Sequence, residues 1–177
     1  MKPTQKTWSA RRLLTRLLRV AYSSEMAAAY AYRGHAASVR DPWEKSSIEG
    51  IEMDEWRHRE AIGRMLADLG ATPSSLRELL FTIVGKSLGW LCPWSGWTLP
   101  MLCAGLIETA NVGQYVRMSA YASTIGMPEM ASELDAMADV ERQHEAFFFS
   151  ALDRAWRRGI IARIFPRSPV VPAKDRG

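Results

Sequence analysis

The sequence predicts an all-α protein, a four-helix bundle with a long crossover between its second and third helices. Three observations carry that expectation. Apolar residues recur at a spacing of about 3.6 in long Ala-, Leu-, Met- and Glu-rich segments, and nothing reads as strand. Turn signals at Asp41-Pro42 and at Gly126 with Pro128 make short links, so the first and second helices are neighbours, as are the third and fourth. Between these pairs, residues 70–98 form one long link rich in glycine, proline and tryptophan.

The first helix is expected from about Trp8 to Val39. At about 100° per residue, Leu14, Leu17, Leu18, Ala21 and Glu25 share one face, with Arg12, Arg16 and Arg19 opposite. A glutamate therefore sits in an apolar stripe. Asp41 as N-cap, Pro42 in the first turn and Glu44 three residues on start the second helix, which ends at Gly70. Its stripe is Ile48, Ile51, Glu55, His58, Ile62, Met65, Leu66 and Leu69, again with polar groups at the centre. The crossover holds a short helix from Pro73 to about Lys86 and an irregular piece, Gly89 to Gly96. The third principal helix is expected from Leu99 to Thr124 and the fourth from Pro128 to Arg157. The fourth carries Leu134, Met137, Glu141, His144, Phe148 and Leu152 on one face. Residues 1–160 make one domain, and 161–177 a basic, loosely held tail.

A hydrophobic content of 47 % is too high for a disordered chain. The net charge of +4 conceals +12 on residues 1–24 and 154–177 and −8 on the body between them. An acidic body with basic ends is no nucleic-acid groove; the ends suit solvated tails or contact with an anionic membrane surface. Cys92 and Cys103, with ten residues between them, make neither a redox motif nor a zinc knuckle, and they suit a reducing cytoplasm. Arg16 and Arg19 interrupt any secretory signal, while Pro93 and Pro100 break the 21 uncharged residues Ser87–Ile107 as a spanning helix. The chain is expected to be cytoplasmic, with its basic ends able to rest peripherally on the inner membrane surface.

Two of the three histidines occur as Glu-x-x-His, in Glu55-Trp-Arg-His58 and Glu141-Arg-Gln-His144. At i, i+3 both side chains lie on one helix face and can converge on one ion. The other two helices each place one glutamate on an apolar face, Glu25 and Glu108. One Glu from each of two helices plus Glu-x-x-His from the other two is the ligand pattern of ferritin-like di-iron carboxylate bundles. Register agrees: Glu25 and Glu55 are centred on position 40, beside the first turn, and Glu108 and His144 on 126, the second. Four buried carboxylates would be costly unpaired, and two divalent ions would balance their charge. The carboxylate-plus-imidazole donors suit Fe, Mn or Zn; oxygen chemistry requires iron, or manganese in its place.

Tyr115, seven residues after Glu108 on its face, is the candidate catalytic side chain beside the metals. His35 is offset from the Glu25 face and reads as structural or exposed. Glu52 and Glu145 fall at the edges of the ligand faces, where solvated positions are expected. Trp90, Trp94 and Trp97 would wall an apolar channel, anchor at a bilayer interface, or pack the crossover.

Over roughly residues 20–150 the chain resembles the demethoxyubiquinone hydroxylases of ubiquinone biosynthesis. The likeness lies in the interval from Glu25 to Glu55-x-x-His58, the apolar Gly-rich crossover, and Glu108-Thr109 followed by Tyr115. The chain departs from the family pattern at Ser23-Ser24 and at Gln114. The resemblance implies a peripheral membrane enzyme that hydroxylates a lipid-soluble quinone with O₂ at a di-iron centre. It also implies that Glu25, Glu55, His58, Glu108, Glu141 and His144 hold the metals. With no dinucleotide loop and no Fe–S cysteines, electrons would come from a separate reductase or a directly bound donor. A rubrerythrin-like peroxidase and a ferritin-like iron-storage protein are the competing readings, and homo-oligomerisation is compatible with each.

Overall fold

The structure, a computed structural model, describes residues 5–164. Five helices follow in order: α1 (Gln5–Ser38), α2 (Pro42–Asp68), α3 (Ser75–Leu91), α4 (Thr98–Thr124) and α5 (Pro128–Ile164). A 3₁₀ turn at Cys92–Trp94 joins α3 to α4, and there is no strand among the described residues. The expected all-α bundle is built from α1 against α2 and α4 against α5, the two pairs meeting through α1 and α4; α3 lies on the flank of α1.

Local chemistry sets the two short turns. The Asp41 side chain accepts hydrogen bonds from the backbone N–H groups of Trp43 at 2.9 Å and Glu44 at 3.0 Å, capping α2. Gly126 has φ +78°, which lets the Met127 N–H reach Ala122 O at 3.0 Å and close α4. Because these turns lock the register of each pair, the apolar stripes meet in two clusters. Leu14, Leu18, Met65, Leu66, Met118 and Leu134 fill one; Tyr32, Ile48, Ile51, Met101 and Phe148 fill the other. Along every bundle helix, the glutamates and histidines expected to hold metal fall between the two.

The structure revises three expectations. Helix α3 runs to Leu91 rather than Lys86, because Gly89 is an interface residue and not a break. A Cβ at Gly34 would lie 2.3 Å from the Gly89 Cα, and one at Gly85 would lie 2.4 Å from Ala27 O. Backbone thus meets backbone where α3 crosses α1. Helix α5 passes Gly159 and reaches Ile164 rather than ending at Arg157; a lone glycine is a weak stop. Of the expected tail, residues 165–177 lie outside the described residues. Finally, Arg12 and Arg16 are exposed as expected, but Arg19 is half-buried and donates to Thr72 O at 2.8 Å, fastening the link before α3. Beside it, Glu78 of α3 accepts from Ser23 Oγ at 2.5 Å and pairs with Arg59.

The glycine contact predicts opposite outcomes for one substitution. Gly34→Ala should destabilise by about 1–3 kcal/mol, since its methyl must push two backbones apart, although alanine favours a helix by about 1 kcal/mol. Gly50→Ala, in exposed α2 with nothing within 4 Å of the new atom, should instead stabilise by up to about 1 kcal/mol. Denaturant midpoints measure both. Equal shifts would mean that α3 is not seated on α1 by backbone contact.

Candidate metal centre

Each bundle helix brings its share of six polar residues to the layer between the apolar clusters. Glu25 on α1, Glu55 and His58 on α2, Glu108 on α4, and Glu141 and His144 on α5 are each at most 6 % exposed. They form two overlapping groups, Glu25–Glu55–His58–Glu141 and Glu55–Glu108–Glu141–His144. Within each group the donor atoms lie within 4.8 Å of one another. Glu55 and Glu141 belong to both groups; Glu25 with His58, and Glu108 with His144, belong to one each. All six residues named from spacing are thus brought together.

The layer has an approximate twofold repeat. Tyr115 stands seven residues after Glu108, and Tyr32 stands seven after Glu25. The tyrosines cross-brace the halves: Tyr115 OH donates to Glu25 Oε1 at 2.7 Å, and Tyr32 OH donates to Glu108 Oε1. Sequence reasoning found only the first, although the same interval signals the second. Asp54 was also missed. It stands one turn before His58 at the edge of the ligand face of α2, and its carboxylate lies 3.3 Å from His144 Nε2 on α5. His144 Nδ1 then faces inward, 3.3 Å from Glu141 Oε2 and 3.7 Å from Glu55 Oε1. Glu52 pairs with Arg33 at 2.6 Å and Glu145 accepts from Thr109, so neither enters the centre.

The electrostatics are those of carboxylates forced together out of water. Burial pushes Glu25, Glu55 and Glu108 above the usual carboxylate range, Glu55 and Glu108 well above it, and the charge of Glu141 adds to the effect at each. Burial would raise Glu141 too, but the His144 and His58 imidazoles lying against it outweigh burial and bring its carboxyl down to about 2. Burial likewise opposes protonation of His58, and Glu141 beside it reverses the balance and raises it. Tyr32 and Tyr115, buried among these carboxylates, are held well above the usual phenol range and keep their protons.

Protein groups alone leave the layer unsatisfied. Both oxygens of Glu55, Glu25 Oε2, Glu141 Oε1 and His58 Nδ1 are buried without a hydrogen-bond partner. His58 Nδ1 and Glu141 Oε1 lie 3.0 Å apart without the alignment of a hydrogen bond. Such atoms are costly to bury unless something electropositive sits among them. The donor set, carboxylates with imidazole and no thiolate, fits a divalent metal in each group, with Asp54 orienting the His144 ring as carboxylates do behind metal-bound histidines.

A pocket of about 500 Å³ adjoins this layer, walled by α1, the end of α3 and the start of α4. Its lining is almost wholly apolar, including Ala28, Leu88, Leu91, Leu99, Ala104 and Ile107. Tyr32 is common to the pocket wall and the metal layer. Of the three crossover tryptophans, Trp94 lines the pocket and Trp90 faces solvent. Trp97 instead packs the crossover, donating to Glu44 Oε2 at 2.8 Å. His35, read from the sequence as structural or exposed, is buried and also lines the pocket.

Compared with known proteins, residues 12–120 match the model of the family described as ubiquinone biosynthesis protein COQ7. That span contains Glu25, Glu55, His58, Glu108 and both tyrosines. No curated protein and no solved structure matches the chain.

Proposed function

Since the chain belongs to the COQ7 family of ubiquinone biosynthesis, we propose that it is a di-iron hydroxylase that uses O₂ to oxygenate an apolar quinone precursor. One observation carries this reading furthest: Tyr32 forms a wall of the apolar pocket and also donates to Glu108 of the metal layer. A ring bound in the pocket would lie beside the metal site, sheltered from water. Two iron ions, or manganese in their place, would supply the reduction of O₂ and the oxygen-transfer chemistry.

The chain's own residues have separable tasks. Glu55 and Glu141, shared by both groups, would help to hold both ions; Glu25 with His58 and Glu108 with His144 would each help to hold one. Asp54 accepts from His144 Nε2, which leaves Nδ1 facing the carboxylates, where it would hold a metal. Tyr32 and Tyr115 hold protons against the two terminal carboxylates and so fix their orientation. Electrons would come from an external donor.

The pocket borders an uncovered apolar face. Leu76, Leu79, Leu80, Ile83 and Val84 of α3 are each at least half exposed, as are Trp94 and Leu99 beside the pocket. No helix among the described residues is long and apolar enough to cross a membrane. A face of this kind suits a seat on the bilayer surface, where a lipid-soluble quinone partitions.

The test uses the iron-loaded full chain with a chemical reductant and a short-tailed demethoxyquinone presented in anionic vesicles under isotopically labelled O₂. One labelled oxygen should appear in the quinone, and O₂ uptake should rise when the quinone is added. Peroxide-driven turnover without label in an organic product, or iron oxidation alone, would overturn the hydroxylase reading.

A further inference from the structure

A polar side chain buried against an apolar cavity is costly unless its hydrogen bonds are made. In the pocket beside the metal layer, the hydroxyl hydrogens are committed. Ser24 Oγ donates to Ala21 O at 3.0 Å, Ser95 Oγ donates to Cys92 O at 2.9 Å, and Tyr32 OH donates to Glu108. The Trp94 side chain is open to water at 77 % exposure. His35 differs from all of these. It lines the pocket, is 3 % exposed, and its Nε2 has no hydrogen-bond partner.

The ring is also held in place. Phe148, itself fully buried, lies between two side chains one turn apart on α1. It stacks on Tyr32 at 5.6 Å and 17°, and on His35 at 6.0 Å and 13°. A fixed, buried imidazole with an unused nitrogen beside a cavity is pre-organised to meet a polar atom of whatever fills that cavity.

We infer that His35 is the polar anchor of the pocket, hydrogen-bonding one ring oxygen of an otherwise apolar ligand and so setting the ring against Tyr32. This rests on the quinone-hydroxylase reading above and adds the residue that selects and orients the ring. Burial pushes the His35 imidazole down to about 4, so at neutral pH it is uncharged. A neutral imidazole can donate to the carbonyl of an oxidised ring or accept from the hydroxyl of a reduced one. A ligand of the same shape without that oxygen would leave the imidazole without a polar partner and gain only the apolar contacts.

The experiment measures equilibrium binding rather than turnover. The oxidised, iron-loaded full chain is titrated under nitrogen with a short-tailed methylbenzoquinone and, separately, with the alkylbenzene of the same tail. His35→Phe should weaken quinone binding about tenfold, roughly the worth of one neutral hydrogen bond, and leave the alkylbenzene unchanged or tighter. His35→Gln should restore most of the loss. In the wild type, the bound quinone should show one carbonyl stretch moved to lower frequency, a readout that needs no variant to fold. Equal quinone affinity for wild type and His35→Phe, or an unshifted carbonyl in the wild type, would overturn the anchor alone. A wild-type chain that binds neither probe would overturn both the anchor and the quinone reading.

Discussion

Glu55→Gln or Glu141→Gln is expected to strip both metal ions from the chain, whereas Glu25→Gln or Glu108→Gln should weaken chiefly the ion on its own side. The difference follows from membership: Glu55 and Glu141 lie in both donor groups, and the other two glutamates lie in one each. A carboxylate can give one oxygen to each of two cations. The amide that replaces it keeps the shape but offers a single acceptor oxygen and two N–H donors, and it cannot bridge. Metal analysis after anaerobic Fe(II) loading and dialysis should find about two ions per wild-type chain, roughly one in the terminal variants and almost none in the bridging ones, with oxygen transfer at background. Asp54→Asn should have a milder effect, about 10- to 100-fold in metal affinity, because it loosens the His144 ring without removing a donor. Retention of both ions by Glu55→Gln would sink the shared-ligand arrangement.

The six residues of that centre were legible because the signals that place them are local. Glu-x-x-His is a three-residue interval on one helix face, and Asp41-Pro42 and Gly126 mark turns whose caps are made within a few residues. Two turns fix two registers, and two registers bring four helices to one level. Tyr32 was legible in principle, since Glu25 to Tyr32 repeats the Glu108 to Tyr115 interval. Asp54 was not, because its partner His144 lies on another helix, and the meeting of α2 with α5 is a property of the assembled bundle. The course of α3 was hidden for a similar reason. Gly89 looks like a break in isolation, and with Gly85 it becomes an interface only when Gly34 and Ala27 lie opposite them. The unused nitrogen of His35 has meaning only beside a cavity, and no spacing in the chain announces a cavity.

Loading with Fe(II) should raise the melting temperature by about 10 °C and flatten its dependence on pH. Ligand at about a thousand times its dissociation constant stabilises the native state by about 4 kcal/mol, and each kcal/mol is worth about 2–4 °C in a chain of this size. The pH dependence follows from the directions of the buried groups. Glu25, Glu55 and Glu108 are raised in the folded chain, so above their folded values they are charged at a cost that unfolding relieves. That cost shrinks as pH falls toward the unfolded carboxylate range, so these groups make the metal-free chain more stable toward acid. His58, also raised, acts in the same sense: its contribution is present at low pH and is lost as pH rises through its folded value. Two groups oppose this, each in a lower window. His35, down at about 4, costs stability only as pH falls below the ordinary histidine value of about 6.5. Glu141, at about 2, does so only below the ordinary carboxylate value of about 4.3. Above the ordinary histidine value of about 6.5 the raised groups therefore act alone, so any change of the metal-free melting temperature with pH there should be a climb as pH falls. Metal ions take over the neutralising role of those protons, so loading should release protons at neutral pH and remove the slope. Glu55→Gln, which deletes one of the most strongly raised carboxyls, should make the metal-free chain more stable than the wild type at pH 8 and less steep with pH, even as it abolishes the gain from Fe(II). A metal-free chain that melts at the same temperature from pH 6.5 to 8, and does not respond to Fe(II), would mean that these carboxylates are not held as a charged, metal-binding layer.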